Sequence, residues 1–192
     1  MYCGDSEYRY VLGKYGERPL ICFGINPSEA RVKIEKSSNN VYEVRLDPTI
    51  GKVINISSEL GYDGFIMLNL YSLVDKDPVA LKEKTIEEDR IKENLRIIRQ
   101  LIEAFDISDT LWACWGKSIE NDAYLIDSLI QINNLVKELG ANRKLEWRTI
   151  KWTKTKPRHP YHPRPLRNAE IKDGCWSETI DMDKYINAIK GR

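Results

Sequence analysis

Short apolar runs alternate with longer amphipathic segments along this chain. Three runs are continuously apolar: PLICFG (19–24), GFIMLNL (64–70) and TLWACW (110–115). Such runs are typical of strands that are buried on both faces of a parallel sheet. A fourth segment, LEWRTIKW (145–152), alternates polar and apolar residues and predicts one more strand.

Helical patterns lie between and after these strands. They cover residues 48–60, 85–105, 117–139 and 181–190. In the second pattern, apolar residues recur at spacings of three and four, which gives one buried stripe. Thr85 and Glu88 can form a capping box at its start. The alternation of strand and helix predicts an α/β fold, a three-layer α/β/α sandwich with a mainly parallel central sheet of about four strands.

The composition favours one domain over residues 1–192. The chain is 42% hydrophobic, enough for one core, and no segment resembles a linker. No run approaches the roughly 18 apolar residues of a membrane span, and the start MYCGDSEYRY lacks the apolar stretch of a signal peptide. A cytoplasmic protein is expected. The four cysteines are scattered, which favours reduced thiols over a metal or disulfide framework.

The net charge of +1 conceals a basic segment. Between Arg143 and Asn168, the sequence contains nine Lys or Arg residues and a single acid, Glu146. Aromatic residues are interleaved with them. Such a stretch is typical of a surface that contacts phosphates. The side chains expected to bind nucleic acid are Lys154, Lys156, Arg158, Arg164 and Arg167. The alternative is a solvated basic face that acidic helices balance elsewhere.

The predicted fold places a ligand site at the carboxyl ends of the strands, where open α/β sheets bind ligands. Four segments follow the strands: GINPSEA (24–30), NLYSLVDKDP (69–78), WGKS (115–118) and PRHPYHPRPLRN (157–168). The last holds the only two histidines of the chain, His159 and His162. Its prolines stiffen the loop, so it can hold a side chain toward a ligand at a lower entropy cost.

Two of these segments resemble motifs of the uracil-DNA glycosylase superfamily. Gly24-Ile25-Asn26-Pro27 is similar to its Gly-x-Asp/Asn-Pro motif, and the residues from His162 to Leu166 are similar to its His-Pro-Ser-Pro-Leu motif. The segments MLNLY and LWACWGKS also resemble the two middle strands of that superfamily. The resemblance implies a uracil-DNA-glycosylase-like fold that binds a nucleobase.

The resemblance also implies roles for single residues. A histidine, His162, would donate to the departing base while Asn26 holds the attacking water. Asn69 would bind the Watson-Crick edge of the base, because an amide both donates and accepts. Leu166, expected to be exposed at the loop tip, would fill the gap left by a flipped nucleotide. The remaining residues expected to bind substrate are Gly24, Ile25, Pro27, Ser28, Trp115 and Arg164.

The chain departs from the superfamily pattern in two respects. Arg164 replaces a serine, and no aromatic residue follows the first motif before Tyr42. Asn26 carries an amide, which is a poor general base, so any catalysis should be slow. These departures keep a second reading open, in which the protein is a nucleic-acid or nucleotide-binding module without catalysis. A third reading is a hydrolase of a free nucleotide derivative.

A closer resemblance is to a bacterial family of unknown function that has its own short motifs. In this chain they are Asn26-Pro27-Ser28, Asp47-Pro48-Thr49, Trp115-Gly116 and Pro157-Arg158-His159-Pro160. This family directs attention to His159, whereas the glycosylase pattern favours His162. The choice between the two histidines as the catalytic donor therefore stays open.

Each candidate also has a structural interpretation. Asn26 can cap a turn, Asn69 can tie two strand ends together, and both histidines can be surface residues of a rigid loop. Carboxylates at Asp47, Asp75, Asp77 and Glu29 could share one edge of the sheet, but no spacing fixes them as ligands, so no metal or cofactor is predicted. The binding hypothesis predicts that Asn26, Asn69 and one histidine line one cleft.

Overall fold

In a computed structural model, the structure describes residues 1–5, 7–27, 32–33, 43–44, 47–74, 87–104, 110–167, 171 and 176–190. The strands are β1 (Tyr2–Gly4), β2 (Arg9–Lys14), β3 (Pro19–Gly24), β4 (Val32–Lys33), β5 (Glu43–Val44), β6 (Gly64–Asn69), β7 (Thr110–Ala113) and β8 (Glu146–Arg148). The α-helices are α1 (Pro48–Glu59), α2 (Glu88–Ala104), α3 (Ala123–Leu139) and α4 (Met182–Lys190). Short 3₁₀ helices cover Lys117–Asn121 and Gly140–Asn142.

Six strands form one mixed sheet in the order β1-β2-β6-β3-β7-β8. The strands β6, β3, β7 and β8 occupy the four predicted segments and run parallel to one another. The strands β1 and β2 are antiparallel additions at one edge. The prediction of a mainly parallel sheet of about four strands is therefore wrong. Two antiparallel strands can join a sheet through a short hairpin and need no crossover helix. The alternation of strands and helices in the sequence therefore does not predict these two strands.

The central strands feed two hydrophobic cores because their side chains alternate between the two faces. Ile21 and Phe23 of β3 pack with residues of α2, α3 and α4. Leu20 and Cys22 pack with residues of α1 on the other face. The result is an α/β fold in three layers, with α1 on one side of the sheet and the other three α-helices on the opposite side.

The start of α1 is fixed by the Asp47-Pro48-Thr49 motif. The backbone N–H groups of Thr49 and Ile50 donate to Oδ1 of Asp47 at 2.6 and 2.9 Å. Pro48 occupies the first turn, where its missing N–H costs nothing. The motif is therefore a helix N-cap, and it brings the first turn of α1 to the carboxyl end of β3.

The other predicted helices are present with changed boundaries. The helix predicted from residue 85 begins at Glu88 in the structure, and Thr85 of the predicted capping box lies outside the described residues. The helix predicted over 117–139 is divided, because Asp122 adopts an extended conformation between the 3₁₀ helix and α3. No helix in the described part of the chain is both long enough and apolar enough to cross a membrane.

The cysteines of the described residues are free thiols. Cys22 and Cys114 are buried and Cys3 is exposed, whereas Cys175 lies outside the described residues. Burial raises the pKa of the Cys22 thiol well above its ordinary value. The two buried cysteines therefore act as small apolar side chains of the core.

Leu166 belongs to the core rather than to an exposed loop tip. It is 2% exposed and packs in the cluster that contains α1. The N–H of Leu166 donates to the carbonyl of Pro163 at 3.0 Å, and this turn directs the chain back toward the sheet. The prediction that Leu166 is an exposed wedge is wrong, because the proline-rich loop folds back on itself.

Truncating Leu166 should therefore destabilise the protein. We expect Leu166→Ala to lower the free energy of unfolding by about 2–5 kcal/mol, the range for a buried leucine. Lys154→Ala, at an exposed position of the same region, should change it by less than about 0.5 kcal/mol. Urea denaturation of both variants measures the difference, and equal small effects would contradict the burial of Leu166.

Candidate functional site

A cavity of about 110 Å³ lies at the carboxyl ends of β3 and β6, beside the turn that follows β7. Its lining includes six residues that the sequence analysis selects: Gly24, Ile25, Asn26, Asn69, Trp115 and His162. A cavity of roughly 150 Å³ admits one benzene molecule, and pockets for larger ligands start at roughly 300 Å³. The size of this cavity therefore matches one small ring or a few water molecules.

The structure brings together Asn26, Asn69 and His162, the three side chains expected to share one cleft. Asn26 is half-buried, and its Nδ2 donates to the carbonyl of Pro27 at 3.3 Å. His159, the other candidate histidine, does not line this cavity. Its side chain is fully buried, so the interpretation of His159 as a surface residue is wrong.

The side chain of Asn69 is a buried polar group of the site. Asn69 is 2% exposed, and among the described residues its Oδ1 has no hydrogen-bond partner. A buried polar atom without a partner costs about 1–3 kcal/mol. The two strand ends are tied by the backbone, since Leu70 and Tyr71 donate to the carbonyls of Gly24 and Ile25 at 2.9 and 2.8 Å. Oδ1 of Asn69 is not needed for that tie.

The backbone of Asn69 is held from the opposite side. Nδ2 of Asn94, on α2, donates to the Asn69 carbonyl at 3.0 Å. Gly24 lies beside the Asn69 side chain, and a Cβ at Gly24 would lie 2.6 Å from Cε of Met67 and 3.0 Å from Oδ1 of Asn69. A side chain at position 24 would therefore displace the amide. Gly24 serves the site by leaving room for Asn69.

His162 presents a neutral imidazole. Burial lowers its pKa from the ordinary value of 6.5, the charge of Arg164 lowers it further, and Asp47 opposes both. The backbone N–H of Arg164 donates to Nδ1 at 3.2 Å. Because Nδ1 accepts, this bond assigns the ring proton to Nε2. His162 therefore brings one N–H donor to the site.

The turn after β7 positions the loop that carries His162. Gly116 has a positive φ of 73°, and its N–H donates to the carbonyl of Pro160 at 2.9 Å. A Cβ at Gly116 would lie 3.4 Å from Cβ of His162. A glycine is favoured here because other residues rarely adopt this conformation. The Trp115-Gly116 motif thus fixes the position of the loop that carries His162.

Several residues that line the cavity were not selected from the sequence. They are Arg9, Thr49, Ile50, Met67 and Ser118. Arg9 is 3% exposed and lies on β2, the strand that the apolar pattern did not predict. Burial lowers the pKa of Arg9, and the nearby Asp47 carboxylate opposes this effect. Thr49 and Ser118 lie in motifs noted in the sequence, but nothing there assigned them a role.

Three other predicted substrate residues of the described part of the chain do not line the cavity. Pro27 is buried behind it, Arg164 is exposed on the loop, and Leu166 is in the core. Ser28 lies outside the described residues. Among the described residues no cluster of His, Cys, Asp and Glu could hold a metal ion. Asp75, Asp77 and Glu29 lie outside those residues, whereas Asp47 caps α1.

The Lys and Arg side chains of the basic segment differ in exposure, and several of them pair with acids, including Arg158 with Glu178 at 3.4 Å. Lys144 and Arg148 pair with Glu146 at 2.7 and 2.8 Å, and their contacts lower the pKa of that carboxyl to about 2. The five side chains expected to bind nucleic acid are all exposed: Lys154, Lys156, Arg158, Arg164 and Arg167. Arg158 also lies over the ring of Trp152 at 5.4 Å. Exposed positive charge is therefore concentrated near the histidine loop.

The lowered pKa of His162 should make the protein less stable in mild acid. The folded protein binds a proton at His162 less readily than the unfolded chain, so stability falls as the pH drops below 6.5. We expect His162→Gln to lose part of this dependence. Unfolding free energies between about pH 7.5 and 5.5 measure the effect, and identical profiles for the variant and the wild type would contradict it.

Comparison with known proteins places the chain in a family. The model of a protein family of unknown function, DUF1643, matches residues 9–164. No curated protein matches the chain, and no solved structure matches it either. The matched region extends from β2 through the cavity to the loop that carries both histidines. The chain therefore belongs to the DUF1643 family of proteins of unknown function.

Proposed function

We propose that this protein binds a single nucleobase, carried by a nucleotide or a nucleic acid, in the cavity lined by Asn26, Asn69 and His162. The observation that carries the proposal is the buried Oδ1 of Asn69, which accepts no hydrogen bond from the described residues. A ligand N–H that reaches this oxygen removes the cost of the unpaired acceptor. Nucleobases offer such groups as ring N–H or exocyclic amino groups.

The rest of the lining complements the acceptor. The guanidinium of Arg9 and Nε2 of His162 are donors, and the hydroxyl groups of Thr49 and Ser118 can donate or accept. The edge of a base carries carbonyl acceptors next to its N–H donors. A lining that offers both donors and acceptors therefore suits a base better than it suits a purely apolar ligand. The volume of about 110 Å³ favours a single ring over a double ring.

The exposed basic side chains support the binding of a phosphate group that is attached to the base. Arg164 and Arg167 lie within a few residues of His162, and both are exposed. Lysine and arginine contacts to phosphate supply affinity without sequence readout. A base in the cavity would thus bring its backbone or its own phosphates toward this surface. Free nucleotides and single strands are both compatible with this geometry.

Replacing Asn69 tests the proposal. We expect Asn69→Leu to weaken binding of uracil and cytosine by about tenfold or more, because the leucine cannot pair with the base. The free energy of unfolding should stay equal or rise by about 1–3 kcal/mol, since an unpaired buried acceptor is removed. Calorimetric titration and urea denaturation measure the two quantities.

Asn133→Leu provides the matched control. Asn133 is also a buried amide, but it is paired, because its Nδ2 donates to Asp183 at 3.0 Å and its Oδ1 accepts from Trp147 at 3.2 Å. This variant should lose stability and keep its base affinity. If Asn69→Leu binds both bases as tightly as the wild type, or if the wild type binds neither, the proposal fails.

Cleavage of the N-glycosidic bond is a second candidate function, favoured by the neutral His162. An N–H donor at the departing base stabilises the negative charge that develops as the bond breaks. The amide of Asn26 can orient water but cannot remove its proton efficiently. The resemblance to the uracil-DNA glycosylase superfamily motivates this candidate, and the glycosylase-like fold stays a prediction.

Single-turnover release of base from a uracil-containing strand separates the enzyme from the binder. We expect His162→Ala to slow release by about a hundredfold with little change in binding, because the donor acts as charge develops. His159→Ala should slow release less, because His159 does not line the cavity. A wild-type protein that binds the strand but releases no base would be a binding module. Affinity that falls steeply with salt would assign a strand rather than a free base as ligand.

A further inference from the structure

A buried chain of polar contacts leads from the cavity wall to the 3₁₀ helix Lys117–Asn121. Nε1 of Trp115 lies 3.0 Å from the hydroxyl of Tyr185, which lies 3.0 Å from Nδ1 of His159. Nε2 of His159 lies 3.3 Å from a carboxylate oxygen of Glu120. Trp115, Tyr185 and His159 are all buried. The chain thus links a residue of the cavity to the histidine that does not reach it.

The hydrogen bonds of this network all run in one direction, from Trp115 toward His159. The indole N–H of Trp115 can only donate, so the Tyr185 oxygen accepts and its own proton is free to go to His159. Burial raises the pKa of Tyr185, so the hydroxyl keeps that proton. Nδ1 of His159 is then the acceptor, and the network assigns the ring proton to Nε2, which faces Glu120. The first two contacts are hydrogen bonds, whereas Nε2 of His159 and the Glu120 carboxylate approach to 3.3 Å without meeting the geometry of a hydrogen bond.

The backbone of His159 is fixed as firmly as its ring. Its N–H donates to Oγ1 of Thr153 at 2.8 Å, and its carbonyl accepts from the N–H of Thr153 at 2.8 Å. The His159 and Tyr185 rings meet edge to face, with an interplanar angle of 86°. His159 therefore cannot turn toward the cavity without breaking several contacts. The His159 ring is connected to the cavity wall through Tyr185 and Trp115.

We propose that His159 is a positioning residue, which orients the indole of Trp115 at the cavity wall through the hydroxyl of Tyr185. Apolar packing against Trp147 and Tyr185 confines the Trp115 ring, and the hydrogen bond adds a direction that packing alone does not give. The consequence for ligand affinity rests on the proposed function. The orientation of the indole can be measured without any ligand.

Tyr185→Phe tests the proposal, because it keeps the ring and removes only the hydroxyl. In a ¹H–¹⁵N spectrum, the Nε1–H signal of Trp115 should move upfield as its acceptor is lost. Affinity for uracil and cytosine should fall by about tenfold, which corresponds to about 1.4 kcal/mol. A role confined to stability would lower the unfolding temperature and leave the affinity of the folded protein unchanged, and that result would overturn the proposal.

Variants of His159 and a second tyrosine sharpen the test. His159→Asn retains an acceptor near Nδ1 and should keep most of the affinity, whereas His159→Leu should lose it as Tyr185→Phe does. Tyr124→Phe removes a buried hydroxyl that has no hydrogen-bond partner among the described residues, so it should change neither the Trp115 signal nor the affinity.

The failure of this inference differs from the failure of the proposed function. If the wild type binds neither uracil nor cytosine, the proposed function fails, and the Trp115 signal alone decides the role of His159. An unchanged Trp115 signal in both His159→Leu and Tyr185→Phe would overturn the positioning role, whatever the ligand. A shifted signal in both variants, with rescue by His159→Asn, would support it, provided that affinity falls in parallel wherever the wild type binds a base.

Discussion

The parallel pairing of β3 with β6 is the constraint on which the site depends. The two strands pair along their whole length, from Pro19 opposite Gly64 to Gly24 opposite Asn69. The last pair places a residue without a side chain beside a buried amide. A shift of the register by one residue would move every side chain of a strand to the other face. The two cores on opposite faces fix this register, and the register fixes the position of Asn69.

The cavity is surrounded by rigidly packed side chains and by polar groups. Only some of these polar groups have hydrogen-bond partners in the described part of the chain. Asp47 satisfies the start of α1, and Trp115, Tyr185 and His159 satisfy one another. The Oδ1 of Asn69, by contrast, has no partner in the described part of the chain. Sites that bind ligands often carry such a local cost while the rest of the structure is consistent. The contrast between neighbouring groups is what distinguishes this cavity from an ordinary packing defect.

The sequence predicts the parallel half of the sheet well because β3, β6 and β7 are buried on both faces and so form continuous apolar runs. It does not predict β2, because the place of this strand in the sheet depends on a hairpin. Arg9 lies on β2, so the sequence does not select Arg9 as a residue of the site. The sequence singles out the proline-rich loop but does not distinguish the positions of its two histidines. Which histidine enters the core and which reaches the cavity depends on contacts with Tyr185 and Gly116, which are distant in sequence. Leu166 was misplaced for the same reason.

The loop from His159 to His162 serves two neighbours at once. One histidine is locked into the core, and the other, three positions later, stands at the cavity. Between them, Tyr161 pairs its N–H with the carbonyl of Lys151 at 2.8 Å, which fixes the path of the loop. Inserting or deleting one residue here would move one histidine out of place whatever its identity. In evolutionary terms, we expect the length of this short stretch to be constrained more tightly than the composition of the residues between the histidines.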